Sequence, residues 1–206
     1  MSGENPNRRV KIRFGIAIGA LFAACAFGQG TMIFDQSSST TNNSGEFLAN
    51  IQASQPIGQS FTPSLAGVGF VRLYVSDRNA DGVGTTILVN LLSGSLTGSV
   101  VSATAPVFVP DGFHGFTDFF FPANATVTPG STYYFRPVVQ SGEDYGVGYD
   151  SRFLYPGGNA FFNGAGDTFY DLWFQEGIVP EPSSVALLLV GGGIVAYVRR
   201  KSKSKG

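Results

Sequence analysis

The sequence predicts an all-β protein whose residues 29–178 fold as a single β-sandwich; a β-barrel is the alternative. Short apolar runs recur between clusters of Gly, Pro, Asn, Asp and Ser, and in some of these runs apolar and polar residues alternate. Such alternation is typical of half-buried strands. No long segment shows the period of about 3.6 residues that marks an amphipathic helix. A segment of about 150 residues is also an ordinary size for one domain.

Two runs carry the alternation most clearly. In Val68–Val75, aliphatic residues at positions 71, 73 and 75 fall on one face, with positions 70, 72 and 74 on the other. Thr85–Leu92 repeats the pattern at positions 87, 89 and 91. We expect about nine strands in all, namely Thr31–Asp35, Ile57–Thr62, Val68–Val75, Thr85–Leu92, Ser99–Ala105, Phe113–Phe121, Thr132–Gln140, Tyr145–Tyr149 and Phe169–Gln175.

Aromatic side chains supply most of the predicted core. Pro137 interrupts one predicted strand, and because proline has no N–H we expect an edge position or a bulge there. The polar segment Gln36–Gly45 predicts a loop. The aromatic residues that we expect inside the sandwich are Phe61, Phe70, Phe119, Phe121, Tyr133, Phe135 and Phe174.

Residues 1–28 have the layout of a secretory signal peptide. A basic patch over residues 8–13 precedes the apolar run Phe14–Phe27. Small residues at positions 26 and 28 fit cleavage before Gln29. The secretion translocon and signal peptidase are therefore expected partners. A lipoprotein signal that uses Cys25, the only cysteine, is the alternative.

Residues 179–206 contain an apolar run and a basic end. Residues 183–198 carry no charge, and Arg199 and Arg200 begin a basic tail that includes three lysines. As a helix these residues span roughly 24 Å, somewhat less than the hydrocarbon core of about 30 Å. A snorkelling Arg199 or local thinning of the bilayer absorbs this difference. We therefore predict a short transmembrane helix at about residues 183–198; a buried core helix is the alternative.

A proline-flanked glutamate precedes this helix. Pro180 and Pro182 remove two backbone donors around Glu181, so neither a strand nor a helix runs through this point. The triplet, the apolar helix and the end that begins at Arg199 and Arg200 together resemble the PEP-CTERM sorting signal. The resemblance implies an exported bacterial protein that an exosortase-type protease-transpeptidase recognises and cuts. It implies a precursor in the inner membrane and a mature protein in the cell envelope, at the outer surface or in the extracellular matrix.

The charge distribution separates the chain into the same three parts. Residues 1–28 carry four basic residues and one acid, a net +3, and residues 179–206 carry five basic residues and one acid, a net +4. Residues 29–178 carry twelve acids and four arginines, a net −8. Basic ends around an acidic middle fit the positive-inside rule for a translocated segment. The acidic middle also argues against nucleic acid as a partner.

One loop has the spacing of a calcium site. Asp77, Asn79 and Asp81 alternate and Gly82 follows, as in the first half of a calcium loop that uses oxygen ligands. The position that should supply a bidentate carboxylate is Leu88. The pattern therefore permits a weak calcium site or, alternatively, a hairpin turn built on Asp81 and Gly82.

A second group of residues combines aromatic rings with carboxylates. Sugar-binding proteins place flat aromatic rings against the CH groups of a pyranose and use carboxylates to bind its hydroxyl groups. The alternative is that these residues are ordinary strand and turn positions. The residues that form this candidate glycan site are Tyr145, Tyr149, Asp150, Tyr155 and Trp173.

Two further segments of the body resemble parts of exported β-sandwich proteins. Thr128–Phe135 has a turn followed by an aromatic strand, a combination common in bacterial surface β-sandwiches. Tyr155–Phe174 resembles the closing portion of exported jelly-roll-like domains. The second resemblance implies a jelly-roll-like β-sandwich and assigns no functional residue.

The chemistry of the body favours binding over catalysis. His114 is the only histidine, so a Ser-His-Asp arrangement would depend on it. The sequence shows no nucleophile elbow of the form Gly-x-Ser-x-Gly near an α/β pattern. We therefore expect a non-catalytic surface or matrix protein that is structural or binds polysaccharide. An extracellular enzyme acting on glycans is the alternative.

Overall fold

The computed structural model describes residues 31–38, 47–79, 81–142, 144–151 and 155–180. They form fourteen strands in two antiparallel sheets, so the all-β prediction is confirmed. Met32–Val179 form one compact unit. The predicted signal peptide and transmembrane helix lie outside the described residues. Within the described ranges, no helix has the length and hydropathy needed to cross a membrane.

The strands follow one another along the chain with short connections. Their bounds are β1 (Ile33–Ser37), β2 (Phe47–Asn50), β3 (Gly58–Phe61), β4 (Gly67–Asp77), β5 (Thr85–Ser93), β6 (Ser99–Ala103), β7 (Val107–Val109), β8 (His114–Thr126), β9 (Tyr133–Ser141), β10 (Tyr145–Asp150), β11 (Ala160–Phe162), β12 (Ala165–Asp167), β13 (Asp171–Leu172) and β14 (Phe174–Ile178).

Each sheet contains seven strands. The first sheet has the order β1-β14-β4-β10-β13, and in addition β8 pairs with β4 and β2 pairs with β10. The second sheet has the order β12-β11-β3-β9-β5-β6, and β7 pairs with β5. The longest pairing joins β4 to β8, from Gly67 opposite Thr126 to Ser76 opposite His114. This pairing determines which side chains of β4 and β8 lie next to each other on each face of the first sheet.

The aliphatic residues that alternate along β4 and β5 lie on the faces where the two sheets pack against each other. Positions 71, 73 and 75 of β4 and positions 87, 89 and 91 of β5 lie in one buried cluster with residues of both sheets. Aromatic rings join the sheets inside this cluster: Phe135 lies 5.9 Å from Phe61 and 5.0 Å from Phe174 between ring centroids. Burying each such ring stabilises the fold by about 1.5–3 kcal/mol.

Most of the predicted core residues are buried in the core cluster, and two differ from this prediction. Tyr133 is only half-buried. Phe70 is fully buried, but it lies on the face of β4 opposite the core cluster. Pro137 lies in β9, where β3 pairs only with residues 133–135. Because β5 alone is its strand neighbour, Pro137 occupies a local edge, as expected.

The prediction of one strand over Phe169–Gln175 was wrong. The chain there forms β13 and β14, which Trp173 separates. The Trp173 N–H donates to the carbonyl of Gly148 and its carbonyl accepts from Tyr74, so the chain passes from pairing with β10 to pairing with β4. Four short strands, β2, β7, β11 and β12, were not predicted.

Candidate functional site

The structure brings Asp77, Asn79 and Asp81 together in the loop after β4. Asp77 is buried, and its two oxygens accept main-chain N–H groups from Asn79 at 3.0 Å and from Gly112 at 2.7 Å. The side-chain amide of Asn79 donates to Asp81 at 3.1 Å. Hydrogen bonding, above all from the main-chain N–H of Asn79, lowers the pKa of Asp77 from its ordinary value. Asp77 is therefore an ionised acceptor that joins two loops.

The rest of the loop uses its acids in the same way. Asp81 accepts the N–H of Val83 at 2.9 Å, and Asp111 accepts the N–H of Gly82 at 2.9 Å. Among the described residues, acids, histidines and cysteines form no group of three or more able to hold a metal. The hairpin-turn interpretation was wrong, because β4 and β5 lie in different sheets and this loop connects them. Calcium at this loop stays a prediction.

Most residues of the predicted glycan site are buried. Trp173 and Tyr145 are fully buried, and Tyr155 and Asp150 are also buried. The Tyr145 hydroxyl donates to the carbonyl of Pro110 at 2.8 Å, which keeps it inside the sandwich. None of these four side chains is therefore exposed to a ligand. Alternation along a strand does not distinguish a buried ring from an exposed one, which is why the sequence pattern missed this.

Tyr149 is the member of that group with an exposed part. Its ring lies 5.5 Å from the ring of Phe47, nearly parallel to it, and 4.9 Å from that of Phe162. Tyr170 closes the group at 5.3 Å from Tyr149. Phe47 is exposed over half of its surface. This cluster lies at the edge of the core, against which Tyr149, Phe162 and Tyr170 pack.

A more extended arrangement lies on the side of the first sheet that faces away from the core; we call it the outer aromatic face. Its middle row is polar and runs across three strands, with Arg72 between Gln175 and Asp118. The guanidinium of Arg72 donates to both oxygens of Asp118, at 2.5 and 3.1 Å, and to Gln175 at 3.3 Å. All three side chains are partly exposed.

Aromatic rows flank this polar row on both sides. On one side, the ring of Phe70 lies 5.4 Å from that of Phe34 and 6.3 Å from that of Phe120. On the other side, the ring of Tyr74 lies 5.5 Å from that of Phe116 and 5.1 Å from that of Trp173. Each row follows the strand register across the sheet, so the order along β4 and β8 is aromatic, polar, aromatic.

The exposure of this face is unusual for a water-facing sheet surface. Phe34 and Phe120 are exposed over 48% and 43% of their surface, and the Arg72 guanidinium lies 5.3 Å from the centre of the Phe34 ring. The solvent side of an antiparallel sheet is ordinarily polar, and grouped exposed rings often mark a binding surface. The outer aromatic face therefore consists of the outer residues of β1, β4, β8 and β14, together with Trp173. Its exposed rings are Phe34 and Phe120, Phe116 is half-buried, and Phe70, Tyr74 and Trp173 are buried beneath the surface of this face.

The sequence held part of this signal. The even-numbered residues of β4 were already predicted on the face opposite the aliphatic ones, and the same parity applies to Phe116, Asp118 and Phe120 in β8. Which strands lie side by side could not be deduced from alternation. The rows appear only once β8 and β14 are placed on either side of β4.

His114 pairs with a serine at the end of β4. Its Nδ1 lies 2.5 Å from the hydroxyl oxygen of Ser76, directly across the β4–β8 pairing. Ser76 is fully buried, so its hydroxyl group is not presented to a substrate. This geometry supports a structural role for both residues.

Two buried carboxyl groups have raised pKa values. Burial raises the pKa of Asp171, which accepts hydrogen bonds from Gln59 at 2.7 Å and from the main chain of Tyr155 at 2.5 Å. Burial, together with the nearby Asp35, raises the pKa of Glu176 to about 9. Glu176 lies in β14, three residues before the start of the sorting segment at Val179.

The C-terminal segment provides the comparison with known proteins. Of the residues predicted for sorting, Pro180 is described, and Glu181, Pro182, Arg199 and Arg200 lie outside the described residues. No curated protein matches the chain. A family model does match its end, and its description is the PEP-CTERM protein-sorting motif. The chain therefore carries a PEP-CTERM protein-sorting motif at residues 179–202, and this motif supports export and C-terminal sorting through exosortase-type processing.

Proposed function

We propose that this protein is an exported, C-terminally sorted surface or matrix protein whose β-sandwich binds extracellular polysaccharide without catalysis. The observation that carries the proposal is the outer aromatic face, in which a polar row lies between two aromatic rows. In the precursor, the secretion translocon, signal peptidase and an exosortase-type enzyme are the partners, and the inner membrane is its location. The mature protein belongs to the envelope, the outer surface or the extracellular matrix.

The chemistry of the face suits a carbohydrate. Pyranose rings present CH groups on their flat faces and hydroxyl groups at their edges. Phe34 and Phe120 offer exposed rings for the CH groups. Between the aromatic rows, Arg72, Asp118 and Gln175 offer planar donors and acceptors for the hydroxyl groups.

The same polar row argues against a purely apolar occupant. Covering Arg72 and Asp118 with an apolar helix would remove both charges from water without supplying new hydrogen bonds, which is unfavourable. A hydroxyl-rich ligand replaces water at these groups. Because residues 29–178 carry a net −8, electrostatics favour a neutral polysaccharide over an anionic one.

The proposal is tested by measuring binding and turnover on the same samples. Full-length protein in a non-ionic detergent is run by affinity electrophoresis through gels that contain neutral polysaccharides: a β-1,4-glucan, an α-glucan, xylan and a galactomannan. Retardation by at least one of them, with no release of reducing sugar, is the expected result. Reducing-sugar release would instead support the glycan-acting enzyme. Free migration in every gel would contradict the binding proposal.

A further inference from the structure

Glu176 is a fully buried carboxyl group whose polar neighbours are the side chain of Asp35 and the main chain of Gln36. It lies in β14, between β1 and β4, and shares the inward orientation of Phe174. Neither of its two oxygens has a hydrogen-bond partner among the described residues. A buried carboxylate without a partner is strongly unfavourable, so a positive charge or a proton must compensate it.

The nearest acidic neighbour is Asp35 on β1, the strand that pairs with β14. The two oxygens of Asp35 have different surroundings. Oδ2 accepts main-chain N–H groups from Ser64 at 2.7 Å and Leu65 at 3.0 Å, which fix the carboxylate in place. Oδ1 accepts hydrogen bonds from the side chains of Ser64 and Gln36, which can rotate away. Oδ1 is therefore the oxygen that can be released to a ligand.

Neutral oxygens converge beside this acidic pair. The hydroxyl group of Tyr155 donates to the side-chain oxygen of Gln36 at 3.0 Å and lies 3.5 Å from the carbonyl oxygen of Thr62. Tyr155 is close enough to feel the charges of both Glu176 and Asp35. The buried carboxyl group of Glu176 and the partly exposed Asp35, Gln36 and Thr62 thus lie together between β1, β14 and the loop after β3.

We propose that Glu176 and Asp35 hold a calcium ion, with the oxygens of Gln36 and Thr62 beside it. Calcium accepts a flexible set of oxygen ligands that combines carboxylates with amide and main-chain carbonyl oxygens. Magnesium demands stricter octahedral geometry and gives up its water reluctantly, so it fits this mixed set of oxygens less well. The ion links β1 to β14, the strand that leads directly into the sorting motif.

The test uses full-length protein in a non-ionic detergent. After gel filtration in low-micromolar calcium, calcium per chain is measured by elemental mass spectrometry, and thermal unfolding is followed with EGTA and with millimolar calcium. For the wild type we expect one bound calcium per chain and melting a few degrees higher in calcium. In Glu176→Gln, which keeps the shape of the side chain and removes its charge, both effects should disappear. Asp35→Asn should behave likewise, so one variant suffices if the other does not fold.

The matched control is the double variant Asp77→Asn/Asp81→Asn, which alters the loop after β4. It should keep the bound calcium and the melting shift of the wild type. Loss of both in this control, with retention in Glu176→Gln, would assign the ion to that loop and overturn the proposal. Wild-type melting that is identical in calcium and EGTA would overturn it as well, and would indicate that a proton neutralises Glu176.

Discussion

At the scale of single residues, one buried pair joins the two sheets. Gln59 in β3 donates to Asp171 in β13 at 2.7 Å and accepts the N–H of Leu172 at 2.9 Å. Asp171 also accepts the main-chain N–H of Tyr155. All of these groups are buried, so removing one partner leaves others without hydrogen bonds.

We predict that Gln59→Ala lowers the free energy of unfolding by about 2–4 kcal/mol, because a buried carboxyl group and a buried amide each lose a partner. Chemical denaturation of the full chain in detergent measures the change. Gln140→Ala, which alters an exposed glutamine of β9, is the control and should change stability by no more than about 0.5 kcal/mol. Equal stability of Gln59→Ala and the control would mean that packing alone joins the sheets.

The lowered pKa of Asp77 gives a prediction about pH. Because its folded-state pKa lies below its ordinary value of 3.8, the folded protein holds fewer protons on this group than the unfolded chain. The resulting stability is fully present above pH 3.8 and is lost as the pH falls through the lowered folded-state pKa. In EGTA, wild type should therefore be more stable than Asp77→Asn at neutral pH, and the difference should shrink on acidification. A difference that stays constant down to pH of about 2 would show that the charge of Asp77 contributes nothing.

At the scale of strands, the sequence predicted what depends on neighbouring residues. The two faces of β4 and the inward row of β5 followed from alternation because each was decided by hydrophobicity along one strand. The break at Trp173 did not follow, since it depends on hydrogen bonds to Gly148 and Tyr74, which lie far away in sequence. Four strands of three or four residues were too short to show a period.

The same limit applies to the candidate site. Asp77, Asn79 and Asp81 are close in sequence, and their contact was predictable. The outer aromatic face needs β1, β8 and β14 in register with β4, and its Arg72–Asp118 pair joins residues 46 positions apart. No local pattern reports that separation. Burial of Trp173 and Tyr145 was missed for the same reason.

The pairing of β1 with β14 depends on a glycine. A side-chain carbon at Gly177 would lie 1.9 Å from the carbonyl oxygen of Ile33, so β1 approaches too closely for any other residue. We predict that Gly177→Ala displaces β1 and destabilises the fold by roughly 2–4 kcal/mol. Hydrogen exchange should then be faster at the amides of Ile33–Ser37.

Gly67→Ala in β4 is the control for this substitution. The added carbon there would meet its nearest atoms at 3.5 and 3.6 Å, which is ordinary contact. Exchange in β1 should be unchanged in this variant. Normal protection of β1 in Gly177→Ala would show that the strand adjusts to the larger residue.

At the scale of the whole molecule, charge and sorting act together. Basic ends surround a body with a net −8, as expected for a chain whose middle is exported, and the sorting motif covers residues 179–202. We predict that Glu181→Ala makes uncut precursor accumulate in the membrane, because the substitution removes the charge between the two prolines. Immunoblotting of membrane fractions measures precursor and mature forms.

Asp167→Ala changes an acid of the body and is the control, which should be processed as the wild type is. Replacing Arg199, Arg200 and Lys201 with serine should weaken membrane retention and orientation, since both depend on basic residues beside a membrane-spanning segment. Normal processing of Glu181→Ala would show that the triplet is not a recognition element for sorting.

Affinity electrophoresis of two double variants tests the claim that the outer aromatic face binds a neutral polysaccharide. Phe34→Ala/Phe120→Ala removes the two exposed rings of the face, and Phe108→Ala/Phe169→Ala removes two rings that are exposed elsewhere, by 66% and 73%. Each lost contact is worth about 1 kcal/mol or more, so the first variant should bind at least about tenfold more weakly than the wild type. The second variant should bind as the wild type does. Equal retardation of the two variants would contradict the claim.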